Sequence, residues 1–323
     1  MDPQQAIARD TPRPSALVLP VLGVPVHFDV DADRLRQAID RAYGPWREIG
    51  PSVDQDIAGP RIRVRLAHPA PATGEPGPVV VEPRPGPTLT IRQPGRIAGR
   101  ASATRMAADI AFAADALHDQ RAVRDAIDTL TLFLLTRLDR QPIHAAAIAR
   151  AGTGLVLAGP SGTGKSTLAY AAMRAGLRVL TDDAVYVQLR PALRVYGMAR
   201  PLHLAPQSTD WFPELHDAPI VARPGGRKKR AIPLDPAPGP PVIERVGLCI
   251  LESHAGTPSV RPISPDEAVI AATSALDPGF DVFRDSIPDR IRAVATLGAW
   301  RVRVGQPPHA ALPALFELID ALA

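Results

Sequence analysis

The chain contains almost no cysteine. A single cysteine, Cys249, stands among 323 residues. This excludes an intrachain disulfide framework and a metal site built from several cysteines. Cys249 lies within an apolar stretch, so we expect it to be an inert, buried thiol. Such sparing use of cysteine favours a reducing, cytoplasmic setting.

Long apolar runs and a strong excess of one charge are also missing. The apolar runs fall well short of the ~20 residues that a membrane span requires. The first fourteen residues are polar and contain proline, with no apolar signal-peptide core. The formal net charge of +4 is too small and too scattered to indicate nucleic-acid binding. We therefore expect a globular chain with neither a membrane nor a nucleic-acid partner.

Lysine is scarce for a chain with 37 basic residues, since only Lys165, Lys228 and Lys229 occur. The abundance of alanine, arginine and proline indicates GC-rich codon usage. Under such a bias, the remaining lysines can mark positions that arginine does not serve equally well. Lys165 lies in the strongest motif of the chain, and the other two are adjacent in a basic run.

Residues 1–140 predict an N-terminal α+β domain. Apolar stretches between residues 16 and 30 are strand-like, and Arg61–Leu66 alternates basic with apolar residues as a half-exposed strand does. Short strands are expected at 79–81 and 88–91, and a helix over 122–138. A further helix is expected after Asp31 or Asp33, because apolar or aromatic residues recur there at helical spacing, at Leu35, Ile39, Ala42 and Tyr43.

Residues 141–323 predict an α/β domain. An apolar strand at 155–158 runs into a glycine-rich loop, a helix at 165–175 and a second strand at 178–181. This order predicts a βαβ unit with a parallel strand pair. Segments 185–189, 193–196, 246–251 and 300–304 are expected to be strands, and 266–276 and 312–322 helices. The proline- and glycine-rich segment 219–241 predicts an exposed loop.

The glycine-rich loop fits the pattern G-x-x-x-x-G-K-[ST] that binds nucleotide phosphates. Its glycines let successive N–H groups converge on phosphate oxygens, and the following helix directs its positive end at the same anion. The motif follows an apolar strand and opens a helix, as this mechanism requires. The predicted nucleotide-binding residues are Gly159, Pro160, Ser161, Gly162, Thr163, Gly164, Lys165, Ser166 and Thr167.

Two adjacent carboxylates, Asp182 and Asp183, follow the second strand. Ligands of open α/β sheets gather at the carboxyl ends of strands, which predicts that both lie near the γ-phosphate. One could hold Mg²⁺ and the other accept a proton from an attacking hydroxyl. A pair of turn or helix-cap aspartates remains the structural alternative.

This stretch resembles the catalytic domain of HPr kinase/phosphorylase, a bacterial protein-serine kinase family. The resemblance rests on spacing: Gly159 comes fifteen positions after His144, and Asp182 comes sixteen positions after Ser166. It covers about residues 143–190. It implies an α/β P-loop kinase core of the HPr kinase/phosphoenolpyruvate carboxykinase type, which uses ATP and Mg²⁺.

The resemblance also implies roles for individual residues. Asp182 corresponds to the catalytic base, and Ser166 and Asp183 correspond to positions around Mg²⁺. His144 corresponds to a site that lines the catalytic centre, and Lys165 binds the phosphates. Taken alone, a single histidine such as His144 is more often structural. HPr kinases assemble as hexamers, so the resemblance also implies a homo-oligomer.

The chain departs from HPr kinases downstream of the aspartate pair. The family's second signature, close to E-I-R-G-L-G, has no counterpart, and that signature is tied to phosphorylase activity and HPr handling. The segment 200–204 reads Arg-Pro-Leu-His-Leu instead. It resembles HPr-kinase-related proteins of peptide-modification gene clusters, including kinases of lasso-peptide precursors.

Four further cations are candidates for phosphate or substrate contacts: Arg200, Lys228, Lys229 and Arg230. Arg200 stands near a predicted strand end. The run 225–230 either forms a solvated loop or a lid that brings a cation to the γ-phosphate.

These patterns predict an ATP-dependent kinase acting on a serine of a peptide or small protein, with residues 1–140 a candidate for substrate recognition. A kinase of a small metabolite and a non-catalytic nucleotide-binding regulator remain open.

Overall fold

A computed structural model describes residues 15–44, 57–67, 79–84, 87–198, 200–222, 227–234, 242–274 and 285–323. The chain divides into two compact units, Met1–Leu138 and Asp139–Ala323. Within the described ranges, no helix is both long and apolar enough to cross a membrane.

The described residues of the N-terminal unit form one seven-stranded mixed sheet and two α-helices. Its elements are β1 (Ser15–Val21), β2 (Val24–Val30), α1 (Asp33–Tyr43), β3 (Arg61–Leu66), β4 (Val80–Arg84), β5 (Thr88–Gln93), β6 (Ile97–Ser102), β7 (Ala107–Phe112) and α2 (Gln120–Leu135). The strand order is β1-β2-β3-β7-β6-β5-β4. Strand β3 pairs in parallel with both β2 and β7, and the other neighbours are antiparallel.

The predicted helices of this unit are confirmed. On α1, Leu35, Ile39 and Tyr43 are fully buried, as their helical spacing predicts, while the side chain of Ala42 lies outside the described part. Helix α2 begins where the Asp119 carboxylate accepts a hydrogen bond from the Ala122 N–H at 3.0 Å. The end of the predicted helix, residues 136–138, forms a 3₁₀ turn instead.

The C-terminal unit contains the predicted phosphate loop. Its elements are β8 (Gln141–Ile143), β9 (Ala145–Arg150), β10 (Thr153–Ala158), α3 (Lys165–Arg174), β11 (Arg178–Thr181), β12 (Val185–Gln188), β13 (Arg194–Gly197), β14 (Leu202–Leu204), β15 (Ile220–Ala222), β16 (Lys228–Ile232), β17 (Val242–Ile243), β18 (Arg245–Ser253), β19 (Ser259–Pro262), α4 (Pro265–Thr273), α5 (Ile287–Val294), β20 (Ala299–Val304) and α6 (Leu312–Leu322).

A six-stranded sheet in the order β11-β9-β10-β18-β20-β19 forms the centre of this unit. Alternate residues of β10 point to different cores: Leu155 and Leu157 pack with α3 and α6, while Val156 packs with α5. Because both faces are covered, β10 and β18 are almost continuously apolar rather than alternating. The prediction for Cys249 is confirmed, since it is fully buried on β18, where burial raises the pKa of its thiol.

The predicted parallel pairing of β10 with β11 is wrong. The two strands run in the same direction, but β9 lies between them and is antiparallel to both. Strand β9 turns directly into β10 through Ala151 and Gly152, which have positive φ angles of 50° and 84°. This tight hairpin occupies the position beside β10, whose parallel partner is β18 instead.

The expectation of a loop over 219–241 is also wrong for its described part. Strands β15 and β16 pair with each other, and β16 pairs with β14 on its other side. Residues 223–226 and 235–241 lie outside the described part.

Of the predicted helices, α6 has the expected bounds. Helix α4 starts after Ser264, whose hydroxyl accepts a hydrogen bond from the Glu267 N–H at 3.1 Å, and residues 275–284 lie outside the described part.

Candidate active site

Five chain segments converge at one edge of the central sheet. The phosphate loop follows β10, and the antiparallel register places the start of β9, preceded by His144, beside the end of β10. The carboxyl end of β11, followed by the aspartate pair, lies at the same edge, as do the ends of β18 and β20. A cavity of about 510 Å³ opens there and is lined by residues from all five segments.

Glycines shape the loop between β10 and α3. Gly159, Gly162 and Gly164 have φ angles of 154°, 90° and 94°, which side-chain-bearing residues rarely adopt. A Cβ atom on Gly159 would also lie 2.8 Å from the Leu251 carbonyl oxygen on β18. The loop can therefore lie close to β18 only with glycine at this position.

The ammonium group of Lys165 is held inside the loop. Its Nζ donates hydrogen bonds to the carbonyl oxygens of Gly159 at 2.6 Å and Pro160 at 3.2 Å, and the residue is only 6% exposed. The Thr163 hydroxyl donates to the same Pro160 carbonyl at 2.8 Å. These contacts place a buried positive charge within the cavity, at the amino end of α3.

Asp182 is a buried carboxylate that lines the same cavity. It is 7% exposed, and its Oδ2 accepts a hydrogen bond from the backbone N–H of His203 at 2.9 Å. Burial raises the pKa of Asp182, and the negative charge of Asp183 adds to this. The His203 N–H, the Ser166 hydroxyl and the charge of Lys229 act in the opposite direction on this pKa.

Asp183 is more exposed, and its backbone N–H and that of Ala184 donate to the Thr181 hydroxyl oxygen at 3.3 and 3.4 Å. His144 lies beside it, with Nδ1 3.7 Å from the Asp183 Oδ1. The predicted residues His144, Asp182, Asp183 and Lys165 therefore line one cavity.

The other predicted loop residues are present in the same cavity. Its lining includes every position from Ser161 to Thr167, while Gly159 and Pro160 contribute the carbonyls that hold Lys165. The Thr167 and Ser208 hydroxyl oxygens are 3.4 Å apart. The Ser166 hydroxyl hydrogen-bonds with Asp182, although the resemblance pairs Ser166 with Asp183 around the metal.

The basic candidates divide into two groups. Lys228 and Lys229 line the cavity from strand β16, together with Arg227 just before it. Arg230 turns away to donate to the carbonyls of His216 at 2.8 Å and Ala218 at 3.1 Å. Neither Arg230 nor Arg200 is among the described residues that line the cavity.

Several cavity residues have no signal in the sequence. His203 lies in β14 and Ser208 in the segment after it, while His254 and Gln306 follow the ends of β18 and β20. Apart from His203, which stands in segment 200–204, they belong to no motif, and only the tertiary structure brings them to the loop. His254 and Gln306 stand one and two positions beyond a strand, a signal that is too frequent to be diagnostic.

The donor set fits a nucleoside triphosphate and Mg²⁺. The cavity volume is in the range of small-ligand sites, and Lys165, Arg227, Lys228 and Lys229 supply positive charge. Hydroxyl and carboxylate oxygens are the ligands Mg²⁺ prefers. No group of three or more metal-binding side chains occurs among the described residues. Magnesium here would therefore also need phosphate oxygens and water, as is usual in kinases.

Comparison with known proteins gives limited similarity. No protein-family model matches the chain. Two curated proteins named HPr kinase/phosphorylase, from Limosilactobacillus reuteri strain DSM 20016 and L. reuteri subsp. reuteri strain JCM 1112, are each 35% identical over 74 residues. The match spans 23% of this chain and 23% of each relative's length. This similarity supports the resemblance to HPr kinase/phosphorylase and leaves the peptide-cluster subtype untested.

Among solved structures, the HPr(Ser) kinase/phosphatase from Coxiella burnetii matches at 12% sequence identity and a TM-score of 0.27. The alignment covers 56% of this chain and 94% of that one.

Proposed function

We propose that the chain is an ATP-dependent kinase that transfers the γ-phosphoryl group to a serine hydroxyl of a peptide or small protein. The observation that carries this proposal is Asp182, a buried carboxylate in the same cavity as a phosphate loop and in contact with the loop residue Ser166. The 74-residue similarity to HPr kinase/phosphorylase supports the same reaction class.

In this proposal each residue has a separate role in an in-line phosphoryl transfer. The loop N–H groups and Lys165 bind the phosphates, and His144 lines the reacting end. The serine oxygen forms a bond to the γ-phosphorus while the bond to the β–γ bridging oxygen breaks, which releases ADP. The serine proton passes to the Asp182 carboxylate, whose raised pKa favours proton uptake. Ser166 and Asp183 would hold Mg²⁺, which neutralises phosphate charge when bound.

The proposed acceptor is a ribosomally made precursor peptide of the lasso type. The segment Arg200, Pro201, Leu202, His203 and Leu204 supports this choice, because it resembles that of peptide-cluster kinases. Incubation of the purified chain with γ-labelled ATP, candidate precursor peptides and free serine tests it. Label on the peptide supports the proposal. Label on serine identifies a metabolite kinase, and no label on any acceptor indicates a regulator.

Replacing Asp182 tests the proposed base. We expect Asp182→Ala to lower the transfer rate by about 10²–10⁴-fold, the usual contribution of a general base, while ATP binding persists because the loop is intact. The measurement is labelled phosphate on the peptide together with calorimetric binding of ATP. The exposed Asp217, replaced by alanine, is the matched control. A normal transfer rate in Asp182→Ala would show that the base is assigned wrongly.

We further propose that the N-terminal unit helps to recognise the acceptor. Strand β3 exposes Arg61, Arg63 and Arg65 on one face while Ile62 and Val64 are buried on the other. The row is spaced at about 6.7 Å, every second residue of a strand. Acidic residues of an extended peptide recur at the same spacing, and Arg65 would meet one of them in place of its present partner Asp109, which lies 3.0 Å away.

The corresponding test replaces all three arginines by glutamine. Surface charges act modestly, so we expect the KM for an acidic acceptor peptide to rise by about tenfold with the KM for ATP unchanged. The matched control replaces Arg34, Arg36 and Arg41 on α1. Equal KM values for the two triple variants would exclude β3 as the recognition surface.

A further inference from the structure

The strand order indicates how a nucleotide would be oriented in the cavity. Asp182 and Asp183 follow β11, which lies two strand positions, or about 10 Å, to one side of β10. Strands β18 and β20 lie one and two positions to the other side, and all these strand ends share one edge. If Asp182 and Asp183 act at the γ-phosphate, as proposed above, a triphosphate held by the loop has its reacting end towards β11. Its nucleoside would then lie towards β18 and β20.

The loops after β18 and β20 form one continuous wall on that side. The His254 N–H donates to the Val304 carbonyl at 3.1 Å. A Cβ atom on Gly305 would lie 2.5 Å from the Gly256 carbonyl oxygen, so the two loops are in close contact there. This close approach holds His254 and Gln306 on neighbouring backbone segments.

The side chains of this wall suit a nucleobase better than a phosphate. His254 and Gln306 are both exposed and line the cavity, and together they offer hydrogen-bond donors and acceptors without a fixed charge. Trp211, partly exposed, and Pro308 add apolar lining. By contrast, the formal positive charges of the cavity lie in the phosphate loop and at β16.

We propose that His254 and Gln306 form a nucleobase-binding subsite, with Trp211 and Pro308 as its apolar walls. This inference rests on the proposed kinase function and adds to it the residues that select the base of the nucleotide. The hydrogen-bonding edge of a purine or pyrimidine is the ligand chemistry. The loop and Lys165 remain responsible for the phosphates.

The test separates base from phosphate by comparing ATP with inorganic tripolyphosphate, each with Mg²⁺, in calorimetric titrations of the full chain. We expect the double variant His254→Ala/Gln306→Ala to bind ATP about tenfold more weakly, the loss of roughly one hydrogen bond at each position. Tripolyphosphate binding should stay within about twofold, because it lacks a base. Titrations with GTP and CTP should show the preference among bases shrinking in the variant.

The matched control is His216→Ala/Gln37→Ala, which removes the same two side chains from exposed positions outside the cavity. Retained tripolyphosphate binding shows that the double variant is folded. If both ligands bind the variant as they bind the wild-type chain, or if both weaken equally, the subsite is refuted while the kinase proposal stands. If the wild-type chain binds neither ligand, the kinase proposal fails and this inference fails with it.

Discussion

At the scale of single residues, Lys165 shows how one position can depend on the shape of a cation. Its Nζ fits between two loop carbonyls at 2.6 and 3.2 Å, where the residue is almost fully buried. A guanidinium group is larger, planar and rigid, so it does not fit a cage made for one compact ammonium. This explains in physical terms why position 165 keeps a lysine in a chain that mostly uses arginine.

We therefore expect Lys165→Arg to weaken ATP binding by about tenfold or more, although the charge is retained. The reason is that the guanidinium must leave the loop to find space, and it then misplaces its charge. Calorimetric titration with ATP measures the effect, with Arg303→Lys on the exposed face of β20 as a reverse substitution for control. Wild-type affinity in Lys165→Arg would contradict this account of the loop.

At the scale of elements, the hairpin of β15 and β16 changes the meaning of the basic run. Lys228 and Lys229 are part of a strand that is hydrogen-bonded on both sides, rather than of a free loop. The charge of Lys229 lowers the pKa of Asp182, so the hairpin already acts on the proposed base. Whether it closes over a nucleotide stays a prediction.

Lysine substitutions on β16 test this coupling. We expect Lys229→Ala to raise the pKa of Asp182, which moves the acid limb of the kcat–pH profile to higher pH. In Lys228→Arg/Lys229→Arg the charge is kept, so the acid limb of the profile stays at its wild-type pH. Phosphoryl transfer slows, because arginine is not equivalent to lysine at phosphates. Initial rates between pH 5 and 9 check both, with Arg303→Ala as control. Unchanged rates and an unchanged limb would mean that β16 is only a solvated strand.

At the scale of the whole molecule, the buried carboxylate of Asp182 links the candidate active site to the stability of the fold. Burial raises the pKa of Asp182 above its ordinary value of 3.8, so the folded chain favours the protonated form. The stabilising contribution of that proton is complete below the unfolded pKa. It is lost as the pH rises through the folded pKa. The proposed base therefore costs stability at neutral pH.

Asp182→Asn should remove this pH-dependent loss. We expect its Tm, measured by circular dichroism without nucleotide, to exceed that of the wild type increasingly as the pH rises through the raised pKa, and then to reach a constant difference. Asp217→Asn is the control, with a curve that parallels the wild type. Parallel curves for Asp182→Asn as well would show that burial of Asp182 does not cost stability.

Short-range sequence patterns determined much of the fold and of the candidate site. The glycine loop, helix α3, the aspartate pair and the burial of Cys249 follow from short-range patterns, because turn geometry, helical spacing and strand burial depend on neighbouring residues. The position of β9 between β10 and β11, the pairing of β16 and the presence of His203, His254 and Gln306 at the cavity were decided only by tertiary structure. Strand order depends on hydrogen bonds between distant segments, and no local pattern encodes those partners.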